Sequence, residues 1–359
     1  MRFKKLSALI LAGVITFGSF SISNAMSREE ISAINVSTAN DFKYWNEDSP
    51  TLQKIIKFVE DAKNPVSGKY IPVEDRIATF DMDGTFYCET APLYFQETMF
   101  FYRALEDKNY NAPPEMKKFA EKIKPKVYNK TGLTKAENDQ YFKYLTKAYA
   151  GMTDEEYRAY VRNFMNDNET GFTNLKRGEG FYLPMVEIIS YLNNNGFAVY
   201  IDSACGVSTT RELVGDIIQI QPDRILGSDF NYTSTGMGKD TSDKHFFDRH
   251  KEKIIISGEP LHDNAKTRKI FSIMNQIGRR PVLAFGNSSG DTSMFEYTLQ
   301  NDKYESAAFY VLCDDTEREF GKPARVEQEK IFAAKRGYNT ISMRDEFKTI
   351  YGDNVKVTK

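Results

Sequence analysis

Apolar and polar positions along this 359-residue chain follow two rhythms, and their order outlines an architecture. After Ser49-Pro50, a good helix start, Leu52, Ile55, Ile56 and Val59 fall on one face of a lead-in helix. Arg76 to Phe80 is a short apolar run of the kind that forms a buried strand. From Pro184, a second helix carries Met185, Ile188, Ile189 and Leu192 on one face. Asn193 to Gly196 closes it, and Phe197 to Ile201 forms the next strand. The pattern continues with a helix from about Thr209 to Ile218 and a strand at Arg224 to Leu226. Residues 228–252 are polar and Gly-containing, a hairpin or loop excursion. Asn264 is placed to cap a helix running to Ile277, with Gly278 at its end, before a strand at Pro281 to Phe285. A strand at Ala307 to Leu312, a helix over 325–336 and an edge strand at Tyr338 to Met343 complete the series. Such alternation predicts an α/β fold, a doubly wound parallel sheet covered by helices, with ligands at the carboxyl ends of the strands.

One stretch interrupts this pattern. From Phe86 to Tyr182, 20 of 97 residues are Phe or Tyr, about 21% against 13% aromatic for the chain. Its periodicity is helical: Tyr141, Tyr144 and Leu145 recur at i, i+3 and i+4, and Thr153 precedes the acidic turn Asp154-Glu155-Glu156. The reading is a helical cap over 91–182, inserted into a core made of 26–90 and 183–359.

The first 25 residues stand apart. Arg2, Lys4 and Lys5 precede an apolar run from Leu6 to about Phe20, followed by Ser23-Asn24-Ala25, the three-part pattern of a secretory signal peptide. Export to a periplasmic or extracellular location follows as an expectation, with no stable membrane span after cleavage. Removing this segment leaves 45 basic against 50 acidic residues, a formal charge of −5. Nucleic acid is therefore not an expected partner. Cys88, Cys205 and Cys313 make no disulfide framework, although a Cys88–Cys205 bridge remains open.

Chemistry gathers where strands end. Arg76 to Thr85 reads Arg-Ile-Ala-Thr-Phe-Asp-Met-Asp-Gly-Thr, placing Asp81 and Asp83 at a strand terminus with diverging side chains. Gly84 permits a sharp turn and close approach of a ligand. Two like charges there are costly, and a cation is the natural way to hold them. Ser203, Lys266 and the cluster Asn287 to Asp291 occupy comparable ends further along. A carboxylate nucleophile, an acid, a charge-neutralising lysine and a metal site are what phosphoryl transfer through an aspartyl phosphate requires.

The segment Asp81-Met82-Asp83-Gly84-Thr85 resembles the Asp-x-Asp-Gly-Thr signature of the haloacid dehalogenase superfamily of phosphatases and phosphotransferases. The strand ending in Ser203, Lys266, and Gly286 to Asp291 are similar to its three later motifs. The resemblance implies that Asp81 is the nucleophile, Asp83 the general acid and base, Ser203 a phosphate ligand and Lys266 the neutralising cation, with Lys269 a neighbouring rival. It further implies Mg²⁺ held by Asp81, Asp83, Asn287 and Asp291. Relatives commonly carry Asp where this chain has Asn287, leaving open whether Asn287 or Asp291 is the direct ligand. The insertion resembles the helical cap of phosphoserine and exported phosphorylcholine phosphatases. A small-molecule phosphomonoester is the expected partner. Phe86, Tyr87, Tyr94 and Phe95 are candidates for an aromatic cage around a quaternary ammonium, and Glu89 or Glu97 for added charge. A ligand-binding homologue without turnover, and a phosphotransferase to an acceptor other than water, are the alternatives.

Overall fold

In the computed structural model, residues 25–89, 93–129, 131–260 and 262–358 are described. The signal segment expected at 1–25 lies outside them except for Ala25.

Strands and helices follow in chain order. Helix α1 (Arg28–Ser32) precedes α2 (Pro50–Lys63), where Ser49 Oγ accepts from the Leu52 N–H at 3.1 Å and Leu52, Ile55, Ile56 and Val59 are buried, as their spacing predicts. Strand β1 (Ile77–Phe80) is buried throughout. Four helices come next: α3 (Phe95–Leu105), α4 (Pro114–Tyr128), α5 (Lys135–Lys147) and α6 (Asp154–Met165). They form the inserted helical layer. The remainder of the expected cap does not continue it, because β2 (Phe172–Thr173) returns to pair with β10 (Lys356–Val357) near the C-terminus.

After α7 (Leu183–Asn194), the core resumes with β3 (Ala198–Gly206), α8 (Val207–Val214) and β4 (Ile225–Ser228). The polar excursion is a hairpin, β5 (Tyr232–Ser234) against β6 (Ile254–Ile256), and it joins the cap through Gly151 N–H to the Ile256 carbonyl at 2.9 Å. The chain closes with α9 (Thr267–Ser272), β7 (Leu283–Gly286), α10 (Thr292–Leu299), β8 (Ala307–Leu312), α11 (Pro323–Arg336), β9 (Asn339–Ser342) and α12 (Met343–Glu346).

Six strands form one parallel sheet in the order β4-β3-β1-β7-β8-β9. The expected doubly wound α/β class is therefore found. Numbered within the sheet this is 3-2-1-4-5-6, which reverses direction between β1 and β7 and opens a crevice at their carboxyl ends. Phe80, Phe285 and Phe309 on β1, β7 and β8 stack at 4.2 and 4.9 Å between ring centroids, fixing the strands beneath that crevice. Trp45 anchors the N-terminal extension through Nε1–H to the Pro184 carbonyl at 2.9 Å and an edge contact with Phe347. Among the described residues no disulfide joins Cys88 to Cys205.

Candidate active site

The crevice is built from three strand ends and one helix. Asp81 extends the β1–β7 ladder by one bond, its N–H donating to the Phe285 carbonyl at 2.9 Å. The chain then turns tightly, with the Met82 carbonyl accepting from Thr85, Phe86 and Tyr87. Gly84 sits at φ +77°, and a Cβ there would lie 1.9 Å from Asn287 Nδ2 and 2.9 Å from Glu89 Oε2. Glycine is thus required both by conformation and by the closeness of the facing loop.

Ser203 ends the regular part of β3, its Oγ accepting from the Cys205 N–H at 3.0 Å and leaving its own proton free to donate. Gln96 of α3 docks on the same turn, its Oε1 accepting from the Gly206 N–H at 3.0 Å. On the far side of the crevice, Asp291 folds back onto its own loop. Its Oδ2 accepts from Asn287 N–H at 3.1 Å, Ser288 N–H at 3.0 Å and Ser288 Oγ at 3.2 Å.

The lysine at the centre is Lys269, not Lys266. Lys269 Nζ lies 2.7 Å from both Asp81 Oδ1 and Asp291 Oδ1, with only 2% of its side chain exposed. The expectation for Lys266 followed from starting the helix at Asn264. Instead the chain makes a turn at Ala265–Arg268, closed by Arg268 N–H on the Ala265 carbonyl at 3.2 Å. Lys266 stands at φ 57°, ψ −126°, and the helix begins only at Thr267. The inward-facing position of its first turn is therefore residue 269. Asn264 is no cap either. Its Nδ2 donates to Asp202 Oδ1 at 2.8 Å and to the Ser203 carbonyl at 3.0 Å, holding the end of β3.

Charge is unbalanced here. Asp81, Asp83, Asp202 and Asp291 stand together with Lys269 as the buried cation that touches two of them. Burial, then the charge of Asp291, pushes Asp81 up to about 7 against the pull of Lys269. Asp83 is raised well above the ordinary carboxylate range by burial and by Asp81, Glu89 and Glu97. Burial also takes Asp202 to about 7. For Lys269, burial lowers the pKa, but Asp291, Asp81 and Asp202 outweigh it and keep the ammonium charged. Asp83 Oδ1 and Asp202 Oδ2 are buried without a hydrogen-bond partner.

Above these groups lies a cavity of about 250 Å³. Its floor includes Asp81, Asp83, Ser203, Lys269 and Asn287, and its roof Tyr94, Glu97, Tyr141, Phe142 and Leu145 of the cap. Of the four aromatics expected to form a cage, only Tyr94 lines it. Phe86, Tyr87 and Phe95 are buried in packing, Phe86 between Phe80 and Phe181 and Phe95 against Phe164. Tyr141 and Phe142 take their place, delivered from α5 some fifty residues later in the chain. Nothing in their helical spacing distinguishes them from the packed Tyr149 and Tyr157.

Among the described residues no group of three or more His, Cys, Asp or Glu side chains is placed to hold a metal ion. A cation here would depend on mixed oxygen donors: the Asp81 carboxylate, the Asp83 backbone carbonyl and the Asn287 carboxamide. That set suits a hard ion such as Mg²⁺, and the unpartnered Asp83 oxygen beside it marks a site short of positive charge. Asp291 is already engaged by Lys269, two backbone N–H groups and a hydroxyl, so it positions the loop.

No family model matches the sequence, and no curated protein does. Several solved structures resemble it in part. A conserved protein of unknown function from Anaerococcus prevotii DSM 20548 is 14% identical, with a TM-score of 0.49, covering 87% of this chain and 98% of that one. Cytosolic 5′-nucleotidase IIIB bound to cytidine is 11% identical, with a TM-score of 0.46, covering 82% and 86%. A HAD family hydrolase from Salmonella enterica subsp. enterica serovar Typhi is 12% identical, with a TM-score of 0.38, covering 76% and 68%. These are partial likenesses of fold, and what the chain does is read from its own side chains.

Proposed function

We propose that this chain is an exported, Mg²⁺-dependent phosphomonoesterase acting through a covalent aspartyl phosphate on Asp81. The observation that carries the reading is the pairing of Asp81 with the buried Lys269 ammonium at 2.7 Å, two residues from a second carboxyl group whose pKa burial raises. Lys269 favours the ionised, attacking form of Asp81, and burial favours the protonated, donating form of Asp83.

In the first half-reaction an Asp81 oxygen forms a bond to phosphorus as the bond to the ester oxygen breaks. Asp83 delivers its proton to that oxygen, releasing the alcohol. Ser203 donates a hydrogen bond to a phosphoryl oxygen, and Lys269 offsets the charge on the aspartyl phosphate. In the second half-reaction Asp83, now a carboxylate, takes a proton from water whose oxygen attacks phosphorus. The bond to Asp81 breaks, giving inorganic phosphate and the original carboxylate. Mg²⁺, when bound by Asp81, the Asp83 carbonyl and Asn287, would draw charge from the phosphoryl oxygens. The cap excludes water and selects the alcohol. Tyr94, Tyr141 and Phe142 with Glu97 make a cavity wall suited to a compact cationic alcohol, and phosphorylcholine is the named candidate.

Asn287 favours a second reading, a homologue that captures phosphorylated ligands without turnover, because a neutral ligand weakens Mg²⁺ binding. Release of phosphate from p-nitrophenyl phosphate decides between them. Turnover by the wild type, abolished by Asp81→Asn and by EDTA, is expected, with a loss on the order of 10⁴-fold or more for the variant. Full activity in either case sinks the proposal, and binding of inorganic phosphate without turnover in any divalent metal establishes the alternative. Diversion of phosphate to added alcohols would identify a phosphotransferase.

A further inference from the structure

The loop carrying Asn287 is braced by a residue outside the four strand-end clusters. Glu89 follows the Gly84 turn by five positions and is buried, 7% exposed. Its Oε2 accepts from Asn287 Nδ2 at 3.0 Å, while its Oε1 accepts from the Tyr94 hydroxyl at 3.0 Å. Arg325 Nη1 stands 4.0 Å from the same Oε1. A side chain at residue 84 would strike both Asn287 and Glu89, so the two have closed around that glycine.

We infer that Glu89 is a positioning residue that fixes the Asn287 carboxamide and restores the charge that a carboxylate at 287 would have carried. An ionised carboxylate accepts hydrogen bonds and cannot donate them, so the Asn287 group facing Glu89 must be the NH₂. The Asn287 oxygen is thereby turned away from Glu89, on a residue that lines the cavity together with Asp81 and Asp83. Asn287 supplies the neutral oxygen and Glu89 the negative charge, split over two residues. Tyr94, the cap residue immediately before α3, holds the other oxygen of Glu89, so the cap reaches the ion site through one carboxylate. The inference rests on the Mg²⁺ site proposed above.

Calorimetric titration of the full-length protein with Mg²⁺ alone, beside thermal melting of each variant, tests it without reference to activity. Glu89→Ala releases the carboxamide and is expected to weaken Mg²⁺ about 10- to 100-fold, the usual effect of removing a partner that orients a ligand. Glu89→Gln keeps an acceptor but not the charge and falls between. Asn287→Asp alone sets two carboxylates about 3 Å apart and lowers the melting temperature. Asn287→Asp/Glu89→Gln exchanges the roles of the pair, since the glutamine amide donates to the new carboxylate, and is expected to recover both melting temperature and Mg²⁺ affinity relative to Asn287→Asp. Affinity within twofold of wild type in Glu89→Ala, or a double variant no better than Asn287→Asp, overturns the inference while leaving the phosphatase reading intact. A wild type that binds no Mg²⁺ overturns the metal site and this inference together.

Discussion

Two polar regions flank the cap, and they are built on opposite principles. Along the seam between α6 and α8 the groups are matched: Glu212 takes Arg158 on one oxygen and Arg162 Nη1 on the other at 2.6 Å. Asp154 Oδ1 accepts from Ser208 Oγ at 2.5 Å, and the Tyr157 and Thr209 hydroxyls meet at 2.7 Å. At the strand ends a few residues away, four aspartates gather around Lys269, which touches only Asp81 and Asp291, and two carboxylate oxygens are buried with no partner. Buried polar groups in folded proteins are nearly always satisfied, so a cluster left short marks where a ligand completes the count. The seam holds two layers together, whereas the crevice is left with polar groups that the chain itself does not satisfy.

The comparison breaks most sharply at Lys269. Lys269→Met leaves Asp81 and Asp291 facing each other without their cation, and removing one partner of a buried ion pair costs about 3–5 kcal/mol. Chemical denaturation at pH 7 should show a loss of that size, and phosphate release should fall below detection. Lys266→Met, three residues earlier, should keep activity within about threefold, since the side chain that reaches Asp81 belongs to residue 269. Equal losses in the two variants would remove the basis for placing Lys269 at the centre.

A raised pKa alone does not mark such a site, and Glu319 shows why. Burial lifts it to about 7, yet it accepts from the Phe320 N–H at 2.8 Å and from the Tyr351 hydroxyl, away from the cavity. Because its folded value lies above its ordinary value of 4.5, the fold binds a proton that the unfolded chain has released. The resulting stabilisation is full below pH 4.5 and is lost as pH rises through about 7. It amounts to about 3 kcal/mol. Urea melts at pH 4.5 and pH 8 should therefore show a drop in the wild type that is smaller by that amount in Glu319→Gln. An unchanged drop would assign the pH dependence to the other carboxyl groups raised to about 7, Asp81, Asp202, Glu169 and Glu187.

At the seam the expected effect is smaller. Arg158 and Arg162 are 39% and 53% exposed, so solvent screens their attraction to Glu212. Glu212→Ala is expected to cost about 1–2 kcal/mol in thermal melting and to leave the Mg²⁺ titration unchanged. A change in Mg²⁺ affinity would couple the seam to the crevice and blur the division between them.

What could be read from residues alone follows the same division. Strand ends were legible because their apolar runs stop abruptly at Asp81, Ser203 and Asn287, and the parallel sheet then brings those ends to one edge. The helix faces on α2 and α7 were legible for the same reason, a period that burial enforces. Side-chain choice within the cap was not. Phe86 and Phe95 are spent in packing while Tyr141 and Phe142 line the cavity, and both kinds recur at helical spacing. Glu89 also escaped notice as a brace, because its contact with Asn287 spans 198 residues and depends on the absence of a Cβ at Gly84.

Lys266 escaped for a different reason, and it provides the gentlest test. Its φ of 57° and ψ of −126° match the first central position of a type II′ turn, where glycine is the ordinary occupant, and an L-residue there is strained. No sequence pattern announces such a turn when the residue is lysine. Helix rules therefore placed the start at Asn264 and the lysine that reaches Asp81 one turn too early. Lys266→Gly removes the clash of Cβ with the backbone but adds freedom to the unfolded chain, worth about 0.4–1 kcal/mol in the opposite direction. Relief of the strain of such a sparsely populated backbone conformation is about 1–3 kcal/mol. The net expectation is a gain of about 1 kcal/mol in thermal melting with phosphate release unchanged. A loss of stability would mean that Lys266 relaxes this turn rather than straining it. A loss of activity at unchanged stability would mean that the turn is held under tension to set Lys269 against Asp81.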